Sequence, residues 1–291
     1  MNDAGHIDPM PNSTRPRANA LPGTVPWNGG DVFLVVLLFI VAQSFAILLF
    51  VPDDLQEGSS TTTEVPQENV AASGAEPENE HPVVMLLQNP PNHWAPFIAI
   101  ASAVAVAPLV EEFLFRVLLL GWLSKKERLF RGADSTIGWR TSWFSLVLTS
   151  IVFALMHVRG APADDSPQRM VALLTASSAA ELLVFAVVMV CFRKAICSTY
   201  EQLGWSVAHL KSDILSGLKT IALVSVPIIA MQVLLYKLIS PYTSWAPDPI
   251  PLFFFSLVLG WLYLGTGRIV APLVAHMGLN SISLVLLWML G

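Results

Sequence analysis

Apolar residues in this chain run in long blocks separated by polar connections, without the alternation of a half-buried strand. The first block, residues 31 to 51 (DVFLVVLLFIVAQSFAILLFV), is almost uninterrupted. Six more follow at residues 97 to 123, 142 to 158, 169 to 192, 214 to 239, 250 to 267 and 269 to 290. Each lies near the ~20 apolar residues that a helix needs to cross a bilayer. The pattern predicts an all-α, polytopic membrane bundle of seven spanning helices. Block 142 to 158 is short for a span. The turn at Gly265-Thr266-Gly267-Arg268 is tight enough to make the last two blocks a helical hairpin or a broken helix.

The connections complete the layout. Residues 1 to 30 are rich in Pro, Asn and Gly and lack apolar periodicity, so they read as a disordered tail. The first block is longer than the apolar core of a signal peptide and ends at Pro52-Asp53-Asp54 without a small-residue cleavage site, which predicts a retained anchor. Residues 52 to 92 form a Ser/Thr/Glu/Pro-rich acidic loop, and residues 93 to 291 form a six-helix core that follows the anchor. No internal repeat supports a transporter built from inverted halves.

Composition agrees with a membrane location. The chain is 54% hydrophobic and 13% charged, against about a quarter charged in soluble domains. The net charge of -5 is unevenly placed, because residues 52 to 92 hold eight acidic residues and no Lys or Arg. Lys125, Lys126, Arg128, Arg131 and Arg140 follow the second block, and Arg193, Lys194 and Lys211 follow the fourth. The excess of Lys and Arg on cytoplasmic loops then sets the amino terminus inside and the carboxyl terminus outside a cell (inner or plasma) membrane. The lipid bilayer is one expected partner and no nucleic acid is expected. Two cysteines, Cys191 and Cys197, suggest neither a disulfide framework nor a zinc site.

Charge inside the second block changes the picture. Glu111, Glu112 and Arg116 stand in AVAPLVEEFLFRVLLLGWL, where an unpaired charge costs at least ~2.5 kcal/mol at the bilayer centre. Glu112 and Arg116 are spaced i to i+4 with the acid first, the favourable order for a helical ion pair. Glu111 points about 100° away around the helix, which leaves it without a cation in its own segment. Pro108 removes a backbone donor one turn earlier and is expected to bend the helix and make room for water.

Two further blocks carry polar groups of the right kind. His157 ends the third block, one turn after Phe153. His276 and Asn280 share one face of the seventh, with Gly278 between them permitting close approach of a neighbour. Two readings stay open for these groups: helix-packing hydrogen bonds, or water activation with stabilisation of an oxyanion. Glu181, Gln43 and Gln232 are the other polar residues within blocks, and Glu181 suits a buried hydrogen-bonding role.

Glu-Glu-x-x-x-Arg at 111 to 116, Phe-x-x-x-His at 153 to 157 and His-x-x-x-Asn at 276 to 280 resemble, in order and placement, the CAAX prenyl endopeptidase type II and bacteriocin-processing family of intramembrane proteases. The resemblance covers about residues 95 to 291. It implies a peptidase in which Glu111 and His157 activate a water, His276 and Asn280 hold the oxyanion, and Glu112 and Arg116 support them, acting on a peptide or membrane-protein substrate. Eukaryotic members remove the last three residues of prenylated CAAX proteins, whereas bacterial relatives serve peptide maturation or bacteriocin immunity. No cofactor is expected. Zinc is the alternative, with Glu111, His157 and His276 as a two-His, one-carboxylate set, although no H-E-x-x-H helix is present. A non-catalytic scaffold or immunity protein and a proton-coupled carrier are the competing classes.

Depth poses one difficulty. Counted at ~1.5 Å per residue from the block ends, Glu111 and His157 lie roughly 20 Å in and His276 about 10 Å. They meet if the seventh helix starts deeper, after a short buried loop around Gly265 to Arg268.

Overall fold

The computed structural model describes residues 25–50, 86–88, 90–131, 142–158, 167–196, 198–239 and 249–290. Most of the acidic segment 52 to 92 lies outside them, as does Cys197, while Cys191 is a free, exposed cysteine. Among the described residues there is no strand. The described residues form seven helices of more than ten residues: α1 (Gly29–Phe50), α2 (Ala95–Arg131), α3 (Trp143–Met156), α4 (Pro167–Lys194), α5 (Leu210–Ile239), α6 (Pro249–Thr266) and α7 (Val270–Leu290). Six are long and apolar enough to cross a membrane. The seventh, α3, has 14 residues and reaches only about 21 Å, short of the ~30 Å hydrocarbon core.

The bundle is built around α2, which packs against α1, α3, α4, α6 and α7. Phe113, Val117, Leu118 and Leu120 of α2 are buried against Val184 and Val188 of α4, while Phe33, Leu34, Leu223 and Val226 face outward, as lipid-facing side chains do. Three outer pairs complete the bundle: α5 with α7, α1 with α4, and α3 with α6. Small residues set these approaches, because apolar side chains gain little by leaving lipid for protein. A Cβ on Gly217 of α5 would lie 2.7 Å from the Ala271 carbonyl oxygen of α7, and one on Gly278 of α7 would lie 3.2 Å from Ile221. Gly278 thus provides the close approach expected of it. Gly260 does the same for α6, against Leu146 of α3.

The second block does not end at Leu123. Its helix runs on to Arg131 through an amphipathic turn whose Lys125 ammonium donates to the carbonyls of Val25 (2.9 Å) and Trp27 (3.1 Å). The end of the segment read as a tail is therefore packed. Trp27 is fully buried, donates from Nε1 to the Leu118 carbonyl at 3.2 Å and meets Phe192 edge-on. Asn28 then starts α1 two residues ahead of the apolar block. Its Oδ1 accepts from the Gly30 amide at 2.8 Å, and the Asp31 carboxylate accepts from the Asn28 amide at 2.7 Å, a reciprocal cap.

Candidate active site

Pro108 shapes the helix that carries the carboxylates. Residues Ser102–Val106 form a π-helical segment, closed by the Ala107 amide donating to the Ser102 carbonyl five residues back. In that register the next carbonyl, Ala103, would look to residue 108, and proline has no N–H. The Asn280 side-chain amide supplies the missing donor at 2.8 Å. Pro108 is thus accommodated by a widened turn, and the Asn280 contact ties α7 to α2 about two turns before the acids. A second π-helical segment, Phe113–Leu120, begins directly after Glu112 and contains Arg116.

The adjacent acids have different surroundings. Glu112 is fully buried: its Oε2 accepts from Arg116 Nε at 3.0 Å and its Oε1 meets His276 Nδ1 at 2.9 Å. Arg116 is buried as well, donates from Nη1 to Ser256 Oγ of α6 at 3.1 Å, and lies 5.2 Å over the Phe153 ring. The i, i+4 pair predicted from spacing is present and has a third member in His276. Glu111 is 26% exposed, with its Oε1 3.6 Å from His157 Nε2 and its Oε2 3.6 Å from His276 Nε2. The carboxylate without a cation in its own segment thus stands between two imidazoles from other helices.

Local bonds orient both rings. His157 caps α3 and its Nδ1 lies 2.8 Å from the Phe153 carbonyl, an acceptor, so Nδ1 carries the proton and Nε2 faces Glu111. The Arg116-paired Glu112 likewise takes the Nδ1 proton of His276 and leaves Nε2 on the Glu111 side. Phe153 holds the group together, with its ring 4.5 Å from that of His157 and 5.9 Å from that of His276. Phe255 closes the far side of His276 at 5.6 Å.

The turn before α7 is not the buried loop expected, since Gly265 is exposed and Thr266 to Arg268 are half-buried, but Ile269, Val270 and Ala271 are buried directly after it, and Gly267 has φ 67°. Arg268 clamps the fully buried Asp213 carboxylate of α5 at 2.7 Å, and the Ile269 amide donates to the Gly204 carbonyl at 3.0 Å. These contacts carry His276 to the level of Glu112.

The structure therefore brings Glu111, Glu112, Arg116, His157 and His276 into one cluster and puts Asn280 against α2 at Ala103. Ser256, Phe255 and the Ala103 carbonyl were not anticipated from the sequence, and only Ser256, a lone hydroxyl in the run Phe253-Phe254-Phe255, left a signal. Among the described residues no group of three or more His, Cys, Asp or Glu is arranged to hold a metal ion.

A comparison with protein families matches residues 93–192 and 182–282 to the type II CAAX prenyl endopeptidase Rce1-like family. No curated protein and no solved structure matches the chain. The first matched stretch contains Glu111, Glu112, Arg116 and His157, the second contains His276 and Asn280, and the chain belongs to the Rce1-like family of type II CAAX prenyl endopeptidases.

Proposed function

We propose that this integral membrane peptidase hydrolyses a peptide bond with a water activated by Glu111 and His157. The observation that carries the reading is the meeting of Glu111 with two imidazole Nε2 atoms, each at 3.6 Å, while Glu112 is fully engaged by Arg116 and His276. A water lodged against Glu111 and His157 Nε2 finds two proton acceptors, the condition for a general base at a peptide carbonyl. His157 keeps its acceptor nitrogen on that side because its Nδ1 proton is spent on Phe153.

His276 and Asn280 stand on one face of α7 and are the groups proposed for the oxyanion. His276 would donate there from Nε2, the ring nitrogen opposite the Nδ1 that meets Glu112. Asn280 Nδ2 spends one proton on Ala103 and has a second for an oxyanion. The buried Glu112–Arg116 pair is the mount that fixes His276. The excess of Lys and Arg over residues 125–140 and 193–211 supports a cytoplasmic amino terminus in this reading.

The test is release of the carboxyl-terminal tripeptide from farnesylated and unfarnesylated CAAX-ending peptides by the chain in liposomes. Cleavage of the farnesylated peptide that survives chelation supports the reading. Activity removed by chelation and restored by zinc points to the metal alternative.

A further inference from the structure

One intramembrane acid has no part in the mechanism above. Glu181 lies within the apolar span of α4, where ionisable groups are costly and commonly mark a substrate path. Ser178, Glu181 and Phe185 share one stripe of α4 by their i, i+3, i+7 spacing. The two ends of that stripe face α2: Ser178 Oγ is 2.7 Å from Ser102 Oγ, and Phe185 meets Phe113 edge-on at 5.1 Å. Those contacts bracket Glu181 on α4 and Glu111 on α2.

Glu181 is held in place and left incomplete. Gln43 of α1 donates from Nε2 to Glu181 Oε1 at 2.7 Å and reaches the Ser177 carbonyl at 3.4 Å. Among the described residues no cation pairs with Glu181, and Arg116 is committed to Glu112. The side chain is half-buried, and α4 packs on α1 and α2 while making no extended interface with α5 or α7. Among the described residues this carboxylate, fixed by Gln43 through one oxygen and set next to an unpacked side of the bundle, lacks a positive partner.

We infer that Glu181, oriented by Gln43, is a specificity residue that binds a cationic side chain of the substrate peptide beside the bond to be cut. This rests on the hydrolase reading, in which the peptide lies against Glu111. The ammonium or guanidinium would complete the open oxygen of Glu181 and supply the positive charge that it lacks. A Glu181 that instead carries a proton gives no preference for a cation.

The experiment compares two synthetic single-span Leu/Ala peptides, one with Lys and one with norleucine at the centre, binding to the full chain in nanodiscs. The lysine peptide is expected to bind about tenfold more tightly, as a charge-assisted contact gives. Glu181→Gln, whose amide oxygen can still accept from Gln43, is expected to abolish the difference, and Gln43→Leu to reduce it. Equal binding of both peptides to the wild type overturns the inference, as does a lysine preference that Glu181→Gln leaves intact. The wild-type comparison stands whether or not any variant folds. Binding needs no turnover, so loss of the lysine preference is distinguishable from failure of the hydrolase reading, which shows as cleavage persisting in Glu111→Gln.

Discussion

Substitution of the two adjacent glutamates is expected to have opposite consequences. Glu112→Gln keeps the shape of the side chain and removes its charge in a site with no solvent, where Arg116 and Glu112 are both fully buried. The one amide oxygen then accepts from Arg116 or from His276 but not from both, the NH2 is turned toward the other donor, and the Arg116 guanidinium, whose Nη2 already lacks a partner among the described residues, loses its anion. Breaking a buried pair from one side costs ~3 to 5 kcal/mol, mostly because the remaining charge is stranded. At about 2 to 4 °C per kcal/mol for a chain of roughly this size, the melting midpoint should fall by on the order of 10 °C. Glu111→Gln removes a quarter-exposed carboxylate whose nearest imidazole contacts are 3.6 Å away, too long for direct hydrogen bonds. Its stability should stay within ~1 kcal/mol of wild type. Tryptophan-fluorescence melts of the three proteins in one detergent read the contrast. A Glu111→Gln melt as low as that of Glu112→Gln, or a Glu112→Gln melt equal to wild type, would refute the division of roles.

Three further outcomes follow from the same geometry. His157→Ala should lower cleavage ~10²- to 10⁴-fold with the melting midpoint nearly unchanged, read by product release and thermal melts. Asn280→Ala strands the Ala103 carbonyl and should cost ~1 to 3 kcal/mol; Pro108→Ala returns an N–H to that register, so in its background the loss should shrink, which a double-mutant cycle of melts would show. Gly217→Ala drives a Cβ against the Ala271 carbonyl and should destabilise by ~1 to 3 kcal/mol, whereas Gly265→Ala, with nothing within 4 Å, should leave the melt where it is.

The spans were legible because a bilayer demands length and apolarity, and both are local properties of sequence. The Glu112–Arg116 pair was legible for the same reason, since i to i+4 spacing places its partners on one helical face. Contacts made across the fold were not. Nothing around Trp27 repeats at helical spacing, so the partners that bury it, Leu118 and Phe192, were invisible in a Pro- and Asn-rich stretch. The polar residues after Leu123 look like a loop until Lys125 is seen capping carbonyls a hundred positions earlier. Pro108 announced a missing donor, but not that the widened turn would leave Ala103 as the orphan or that Asn280 would fill it. The depth of His276 was open for a similar reason: it depends on Arg268 reaching Asp213 and on Ile269 bonding to Gly204.

The central claim is that Glu111 is the base and Glu112 the mount. Its most direct test is tripeptide release from a farnesylated CAAX-ending peptide in liposomes, comparing wild type with a Glu111→Gln protein shown to be folded by its melt. The account predicts cleavage by the wild type and a loss of at least ~10²-fold in the variant. Cleavage by Glu111→Gln at the wild-type rate would contradict it.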